Sequence, residues 1–317
     1  MRMNEEIAII IPTKNRPQDV ARCLNSIKNQ TILPHEVVIV DSSDVDTLKS
    51  IQDIFPGLKI RYLREWNASK NRARNIGIES ASAQIVLILD DDVILEKDHV
   101  KEIMRVFALG AERTGGVTGR LVRSPELKTP FLRVRVIVRR IFARAFLLTR
   151  ARAVDEREGR FYPSGRLQII KDSNRIIPCE FLAGADMAFR REIAKEFRFD
   201  ENMRGYSWGD DDDFSYRLSR KYTNFYTPHA RYIHVERGLT EIEPEAYARL
   251  SIEGHYYFYD KNLPKDFKHK FAFWWSVFGC FLSTLAMTLV TRRAGRLRGL
   301  TRGLIAARSK RAKGWTG

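Results

Sequence analysis

Cysteine is scarce in this sequence: 317 residues contain only Cys23, Cys179 and Cys280. Three widely spaced thiols offer no disulfide framework and no zinc-ligand spacing, and they suit a reducing compartment. No signal peptide is expected either. The apolar run Ile7-Ala8-Ile9-Ile10-Ile11 is short, follows Glu5 and Glu6, and stops at Pro12. The main domain is therefore expected to stay in the cytoplasm. Internal repeats and low-complexity linkers are absent. Acids are missing from two stretches: Phe131 to Arg152 holds seven arginines and Thr291 to Gly317 nine Lys or Arg, with no Asp or Glu in either.

Those two stretches account for the whole formal charge of +16, so the rest of the chain is neutral. A non-enzymatic basic protein that binds membranes or nucleic acid, with basic residues spread over its main domain, is thereby disfavoured. An apolar fraction of 44% is ordinary and supports a sizeable core.

Short apolar runs alternate with helical patterns. Ile7 to Ile11 reads as a strand buried on both faces, followed by a helix from Pro17 to Asn29 with Val20, Leu24 and Ile27 on one face. Glu36 to Val40 is a second strand, Val45 to Ile54 a helix and Lys59 to Leu63 a third strand. Asn67 can cap a helix to about Ala81, and Gln84 to Leu89 is a fourth strand. This βαβαβαβ order predicts an α/β fold with a mostly parallel central sheet. Further on, Gly115 to Leu121, Phe181 to Phe189 and Phe225 to Val235 read as strands, and Asp210 to Lys221 as a helix.

Ligands of such sheets bind beyond the carboxyl ends of the strands. Here those ends carry Pro12-Thr13-Lys14-Asn15, Asp41-Ser42-Ser43 and Asp90-Asp91-Asp92. Turn residues and helix caps explain any one cluster, but less well the coincidence of three. Three successive aspartates repel one another unless a cation sits among them, and a hard divalent ion such as Mg²⁺ or Mn²⁺ meets that need. The alternative is a solvated acidic turn capping the helix after Glu96.

Ile7 to Arg16, Val38-Ile39-Val40-Asp41-Ser42-Ser43, Ala73-Arg74-Asn75-Ile76-Gly77 and Asp90-Asp91-Asp92, taken in order, resemble family 2 glycosyltransferases. The resemblance continues through Phe181 to Arg191 and Gly209-Asp210-Asp211-Asp212-Asp213 and ends near His234. It implies the GT-A fold, an inverting reaction and a nucleotide-diphospho-sugar donor. Matched position by position, it places Pro12, Thr13, Asn15, Asp41, Ser43, Lys70, Arg74, Asp90 and Asp91 around the donor nucleotide, with Asp41 on the base and Asp91 near the ribose. Asp92 matches the metal ligand of the DXD-type motif, and His234 a histidine that joins the metal or the diphosphate. Asp211 falls at the position of the catalytic base, with Asp210 as its rival. Trp208 and Gly184 are candidates on the acceptor side. A solvated helix face remains the alternative for Lys70 and Arg74, a structural histidine for His234 and ordinary core for Trp208.

Phe271 to Val290 is uncharged for twenty residues and bracketed by Lys268-His269-Lys270 and Arg292-Arg293, long enough to span a bilayer. A span would put the basic tail outside, against the positive-inside tendency, whereas a re-entrant or interfacial helix keeps both ends on the cytoplasmic side. A buried core helix is the bland alternative. The expected organisation is a catalytic domain over 1–260, with 131–152 a basic interfacial insertion, and a membrane-associating segment over 261–317 with its helix at 271–290. Expected partners are a nucleotide-diphospho-sugar, a glycan or lipid-linked acceptor and an anionic membrane surface at the cytoplasmic face of a bacterial membrane, with no nucleic acid. A processive synthase is disfavoured because no Gln-x-x-Arg-Trp signature occurs. A sugar nucleotidyltransferase is disfavoured because no glycine-rich loop comes after the first strand.

Overall fold

The computed structural model describes residues 5–45, 51–67, 69–110, 114–122, 142–148, 159–168, 170, 173–203, 208–235, 242–313 and 315. By packing, the chain falls into two units. The first comprises Met1–Arg123, Asp172–Gly205 and Arg217–Arg237, and the second Ser124–Lys171, Tyr206–Tyr216 and Gly238–Gly317.

The first unit is built on one sheet. Its elements are β1 (Ile7–Thr13), α1 (Pro17–Lys28), β2 (Glu36–Asp41), α2 (Ile51–Ile54), β3 (Ile60–Arg64), α3 (Lys70–Ser80), β4 (Ile85–Leu89), β5 (Val93–Leu95) and α4 (His99–Gly110). They continue with β6 (Thr114–Leu121), β7 (Ile177–Cys179), β8 (Asp186–Arg190), α5 (Arg191–Phe197) and β9 (Thr223–His234). The strand order is β3-β2-β1-β4-β8-β6-β9-β5, with β7 also paired to β9.

Every residue of β1, β2 and β4 is buried. That is why these strands read as continuous apolar runs rather than alternating ones: helices cover both faces. Each buried Ile or Val there contributes roughly 1.5–3 kcal/mol. Helix α3 lies so close to β1 that a Cβ on Gly77 would meet Ile10 Cγ2 at 2.3 Å.

The sheet is more mixed than the element order suggests. Strands β3, β2, β1 and β4 are parallel, but β8 runs antiparallel to both β4 and β6, and β5 and β7 antiparallel to β9. The reversals come from pieces without a clear periodic signature. β5 and β7 have three residues each, and the run expected as one strand over Phe181 to Phe189 is a turn closed by the Ala183–Asp186 bridge, then β8. The cap of α3 is Ser69, whose Oγ accepts from Arg72 N at 3.4 Å; Asn67 instead donates its backbone N–H to Glu65. Of the helix expected over Val45 to Ile54, only α2 is described, because 46–50 lie outside the described residues.

Helix α6 (Asp210–Ser219) begins in the second unit and ends in the first. The second unit otherwise consists of α7 (Pro244–Asn262), α8 (Phe267–Thr291) and α9 (Gly295–Ala312), packed around Ile252, Tyr256, Phe258, Tyr259, Phe273 and Val277. Among the described residues, α8 is the one helix long and apolar enough to cross a membrane. Most of the basic segment 131–152 lies outside the described residues. Of its remainder, 142–145 are helical and Phe146 stacks on Trp275 at 4.9 Å.

Candidate active site

Parallel pairing lines up the polar strand ends. Thr13 of β1 stands opposite Asp41 of β2, and Asp41 opposite Arg64 of β3. Asp41 is fully buried and fully engaged. Its Oδ1 accepts from the backbone N–H of Ser43 at 2.8 Å and from the Ser43 hydroxyl, while Oδ2 accepts from Tyr62 and Arg64, each at 2.8 Å. Asn15 closes this corner. Its N–H donates to Ser43 Oγ at 2.7 Å, and it holds a left-handed φ of 56° that asparagine tolerates. Pro12, within β1, pairs with Val40.

The aspartate triplet comes directly after β4, in the turn closed by Val93 N–H donating to Asp90 O at 3.2 Å. The turn gives its three carboxylates different partners. Asp91 Oδ2 accepts from Thr13 Oγ1 at 2.7 Å. Asp90 Oδ1 takes Lys70 Nζ at 2.8 Å, with Arg74 Nη2 at 3.8 Å. Asp92 Oδ1 lies 2.9 Å from His234 Nε2, a contact set by the antiparallel pairing of Val93 with His234. Ligand atoms of Asp90, Asp92 and His234 all fall within 4.8 Å of one another. Two carboxylates and an imidazole are a donor set that suits a divalent ion.

Two residues differ from their sequence reading. Asp90, expected only near the nucleotide, shares the metal-type cluster with Asp92 and His234, whereas Asp91 turns to Thr13. Arg16, assigned no role in the sequence, places Nη1 3.3 Å from Asp91 and 3.5 Å from Asp92. Its signal was available, as a cation just past the end of a strand that runs parallel beside β4.

Arg74 is completely buried. It donates to Gly184 O at 3.1 Å and to Asn71 at 3.4 Å, with its guanidinium over the Phe199 ring at 4.8 Å. From there it positions Asp90 and the Gly184 carbonyl. Lys70 is the more open of the two cations, 40% exposed at its side chain.

Burial pushes the Asp91 carboxyl up to about 6; the Thr13 hydrogen bond and Arg16 oppose the rise, and the charges of Asp90 and Asp92 add to it. Burial acts on Asp92 in the same sense, but the His234 hydrogen bond and charge, with Arg16, outweigh it and hold that carboxyl below its usual range. Neighbouring carboxylates thus differ in their readiness to stay ionised.

The acidic run Asp210 to Asp213 fills the first turn of α6, where the helix dipole favours negative charge. Asp213 is buried and held by Lys261 at 3.0 Å and Asn262 at 2.8 Å, which makes it a tie between α6 and α7. Asp210 is nearly buried, and Asp211 and Asp212 are half-buried. Trp208 meets Tyr247 edge to face at 4.9 Å. Asp210, Asp211 and Trp208 belong to the second unit, whereas the strand-end cluster belongs to the first.

A family model described as Glycosyl transferase family 2 matches residues 8–197. Among curated proteins, the chain is 30% identical over 101 residues to the uncharacterized glycosyltransferase YwdF of Bacillus subtilis (strain 168), covering 32% of this chain and 37% of that one. It is 25% identical over 225 residues to the chondroitin synthase of Escherichia coli, covering 68% of this chain and 32% of the relative. The matched regions thus span well under half the length of these relatives. Among solved structures, the mannosyltransferase PcManGT from Pyrobaculum calidifontis, in complex with GDP-Man and Mn²⁺, superposes with a TM-score of 0.56 at 18% identity, covering 97% of this chain and 87% of that one. S. aureus TarS 1-349 in complex with UDP superposes with a TM-score of 0.52 at 14% identity, covering 84% and 69%. The sheet order and these superpositions agree with the GT-A fold. With more than half of its length inside the matched profile, the chain belongs to glycosyl transferase family 2.

Proposed function

We propose that this chain is an inverting glycosyltransferase. It moves a single sugar from a nucleotide-diphospho-sugar to a hydroxyl of a glycan or lipid-linked acceptor, in cell-surface polysaccharide or glycolipid synthesis. It works at the cytoplasmic face of a bacterial membrane, to which 261–317 attach it. The observation that carries the reading is the convergence of Asp90, Asp92 and His234 beyond the strand ends. The GDP-Man and Mn²⁺ of PcManGT and the UDP of TarS support a nucleotide donor.

Asp90, Asp92 and His234 would hold Mg²⁺ or Mn²⁺, which when bound neutralises charge on the departing diphosphate. Thr13 fixes the orientation of Asp91 toward the donor ribose, and the corner of Pro12, Asn15, Asp41 and Ser43 receives the base. Lys70 and Arg16 supply the fixed positive charge around the diphosphate, and Arg74 holds Asp90 in place from below. On the acceptor side, Asp211 takes the hydroxyl proton as the oxygen attacks C1 and the bond from C1 to the diphosphate breaks. Asp210 is the second candidate for that role. Trp208 and Gly184 contribute to seating the acceptor.

The test is a panel of nucleotide sugars with Mn²⁺ or Mg²⁺, scoring nucleotide release by the wild type and Asp92→Ala. Metal-dependent release lost in the variant is expected. Turnover without metal that survives the substitution sinks the proposal.

A further inference from the structure

Helix α8 presents two unlike faces. Ala272, Phe273, Ser276, Val277 and Gly279 are buried, and Phe273 stacks on Tyr259 of α7 at 4.1 Å. Around the helix from them runs a stripe of Phe267, Phe271, Trp275, Phe278, Leu282, Leu285 and Leu289. Its residues are spaced three or four apart, as one side of a helix requires. Six of these seven are exposed, from 39% at Leu282 to 82% at Phe267, and Trp275 is half-buried. The rings form a ladder along the stripe. Phe267 lies 6.1 Å from Phe271, Phe271 6.0 Å from Trp275, and Trp275 5.8 Å from Phe278.

Three hydroxyls on the open part of the helix bond to the helix's own carbonyls. Ser283 donates to Cys280 O at 3.0 Å, Thr288 to Thr284 O at 2.9 Å and Thr291 to Met287 O at 2.8 Å. A hydrocarbon environment demands such internal satisfaction, and water does not. Lys268 and Lys270 stand at one end of the stripe and Arg292 and Arg293 at the other. Lys268, Lys270, Arg292 and Arg293 are all exposed.

The return of the chain after α8 limits how far that helix can go. Arg292 takes a left-handed φ of 55°, and α9 runs back along α7. A Cβ on Gly299 would lie 2.2 Å from Glu245 O, and one on Gly303 2.4 Å from Ile252 Cγ2. Ion pairs lock this return: Arg298 with Glu245 at 3.1 Å, Lys310 with Glu253 at 3.0 Å and Arg311 with Asp260 at 2.9 Å. A perpendicular span would draw these charged helices into the hydrocarbon or break them apart.

We infer that α8 does not cross the bilayer but lies in the plane of one anionic leaflet, its aromatic and leucine stripe sunk in lipid and its terminal Lys and Arg on the phosphates. This rests on the membrane association proposed above and specifies its geometry. The occupant is lipid rather than a second copy of the chain. The exposed Lys268, Lys270, Arg292 and Arg293 give both ends of the helix the same charge, which repels another copy and attracts anionic headgroups. In-plane seating also keeps both ends of the helix on one side, which removes the conflict with the positive-inside tendency.

The test uses the full chain in a Cys280→Ser background, since Cys23 and Cys179 are buried. Single probes are Lys28→Cys in the first unit, Ser309→Cys on α9 and Leu289→Cys on the stripe. In membrane vesicles of known sidedness, an impermeant maleimide is expected to label Lys28→Cys and Ser309→Cys from the cytoplasmic face alone. An environment-sensitive fluorophore on Leu289→Cys should shift to the blue on vesicles containing phosphatidylserine. Leu285→Glu with Leu289→Glu, both on an already open face, should lower vesicle binding at least tenfold and leave turnover of a soluble acceptor unchanged. Labelling of Ser309→Cys from the opposite face would overturn the in-plane geometry while leaving membrane association intact. A protein that binds no vesicles, or that pairs with itself through the stripe instead, would overturn both, and the donor assay would still report separately on sugar transfer.

Discussion

His234 Nε2 lies 2.9 Å from Asp92 Oδ1, although the two are far apart in the chain. The contact exists because β9 ends where β5 begins and the two run antiparallel, with His234 opposite Val93. Asp90 completes the group from the other side of the same turn. Three strand ends thus bring two carboxylates and an imidazole within 4.8 Å of one another.

Removing a ligand from that group should therefore cost turnover more than fold. Asp92→Ala is expected to lower kcat with Mn²⁺ on the order of 100-fold or more, as loss of a preorganised electrostatic group does. His234→Ala should act mainly on the Mn²⁺ concentration needed for half-maximal activity. A metal titration of both variants separates the two effects. Equal Mn²⁺ dependence in wild type and His234→Ala would remove His234 from the ligand set.

Arg16 bridges Asp91 and Asp92 as a cation built into the protein. Arg16→Ala leaves two mostly buried carboxylates with one fewer donor, a loss of about 1 kcal/mol. The midpoint of thermal unfolding should fall by a few degrees without metal, and Mn²⁺ should raise it by more in the variant than in the wild type. Identical Mn²⁺ shifts in both proteins would show that Arg16 does not share the charge of this cluster.

The parallel half of the sheet was legible because β1, β2 and β4 are buried on both faces and end abruptly at Pro12, Asp41 and Asp90. The pairing partners of the later strands were not. β5 has three residues, and its place beside β9 depends on contacts across most of the chain, which local periodicity does not encode. Within the triplet, spacing alone left all three carboxylates equivalent. The turn after Leu89 decides that Asp90 and Asp92 converge while Asp91 meets Thr13. The apolar run of α8 was plain in the sequence, but the return of α9 along α7 rests on the close approach at Gly299 and Gly303.

His99 and Asp186 form a pair with no solvent exposure on either side chain, Nε2 to Oδ1 2.9 Å. His99 Nδ1 also lies 3.1 Å from Arg231 O, and Gly119 N–H donates to Asp186 Oδ2 at 2.6 Å. The pair ties α4 to β8 and β9. Removing one member strands the other in the interior, which costs about 3 kcal/mol or more. His99→Ala should lower the urea midpoint accordingly, whereas replacing both residues by apolar ones should recover part of the loss. A His99→Ala midpoint equal to the wild type would show that the pair contributes nothing.

His255 supplies a pH dependence in the second unit. Burial holds its imidazole well below the usual histidine value, with the Arg166 charge acting in the same sense and the bond to Ser164 O opposing. Nε2 lies 2.7 Å from Ser164 O, and the ring packs 4.9 Å from Phe273. The folded state thus excludes a proton that the unfolded chain accepts near pH ~6.5. Stability from this group is complete above that pH and falls as pH drops below it, toward the lowered folded-state value. Urea unfolding followed by the fluorescence of Trp274 and Trp275 should show the decline between neutral pH and about pH 5. His255→Phe should flatten it, whatever the variant does to stability at neutral pH. An unchanged slope in the variant would assign the acid sensitivity to other groups.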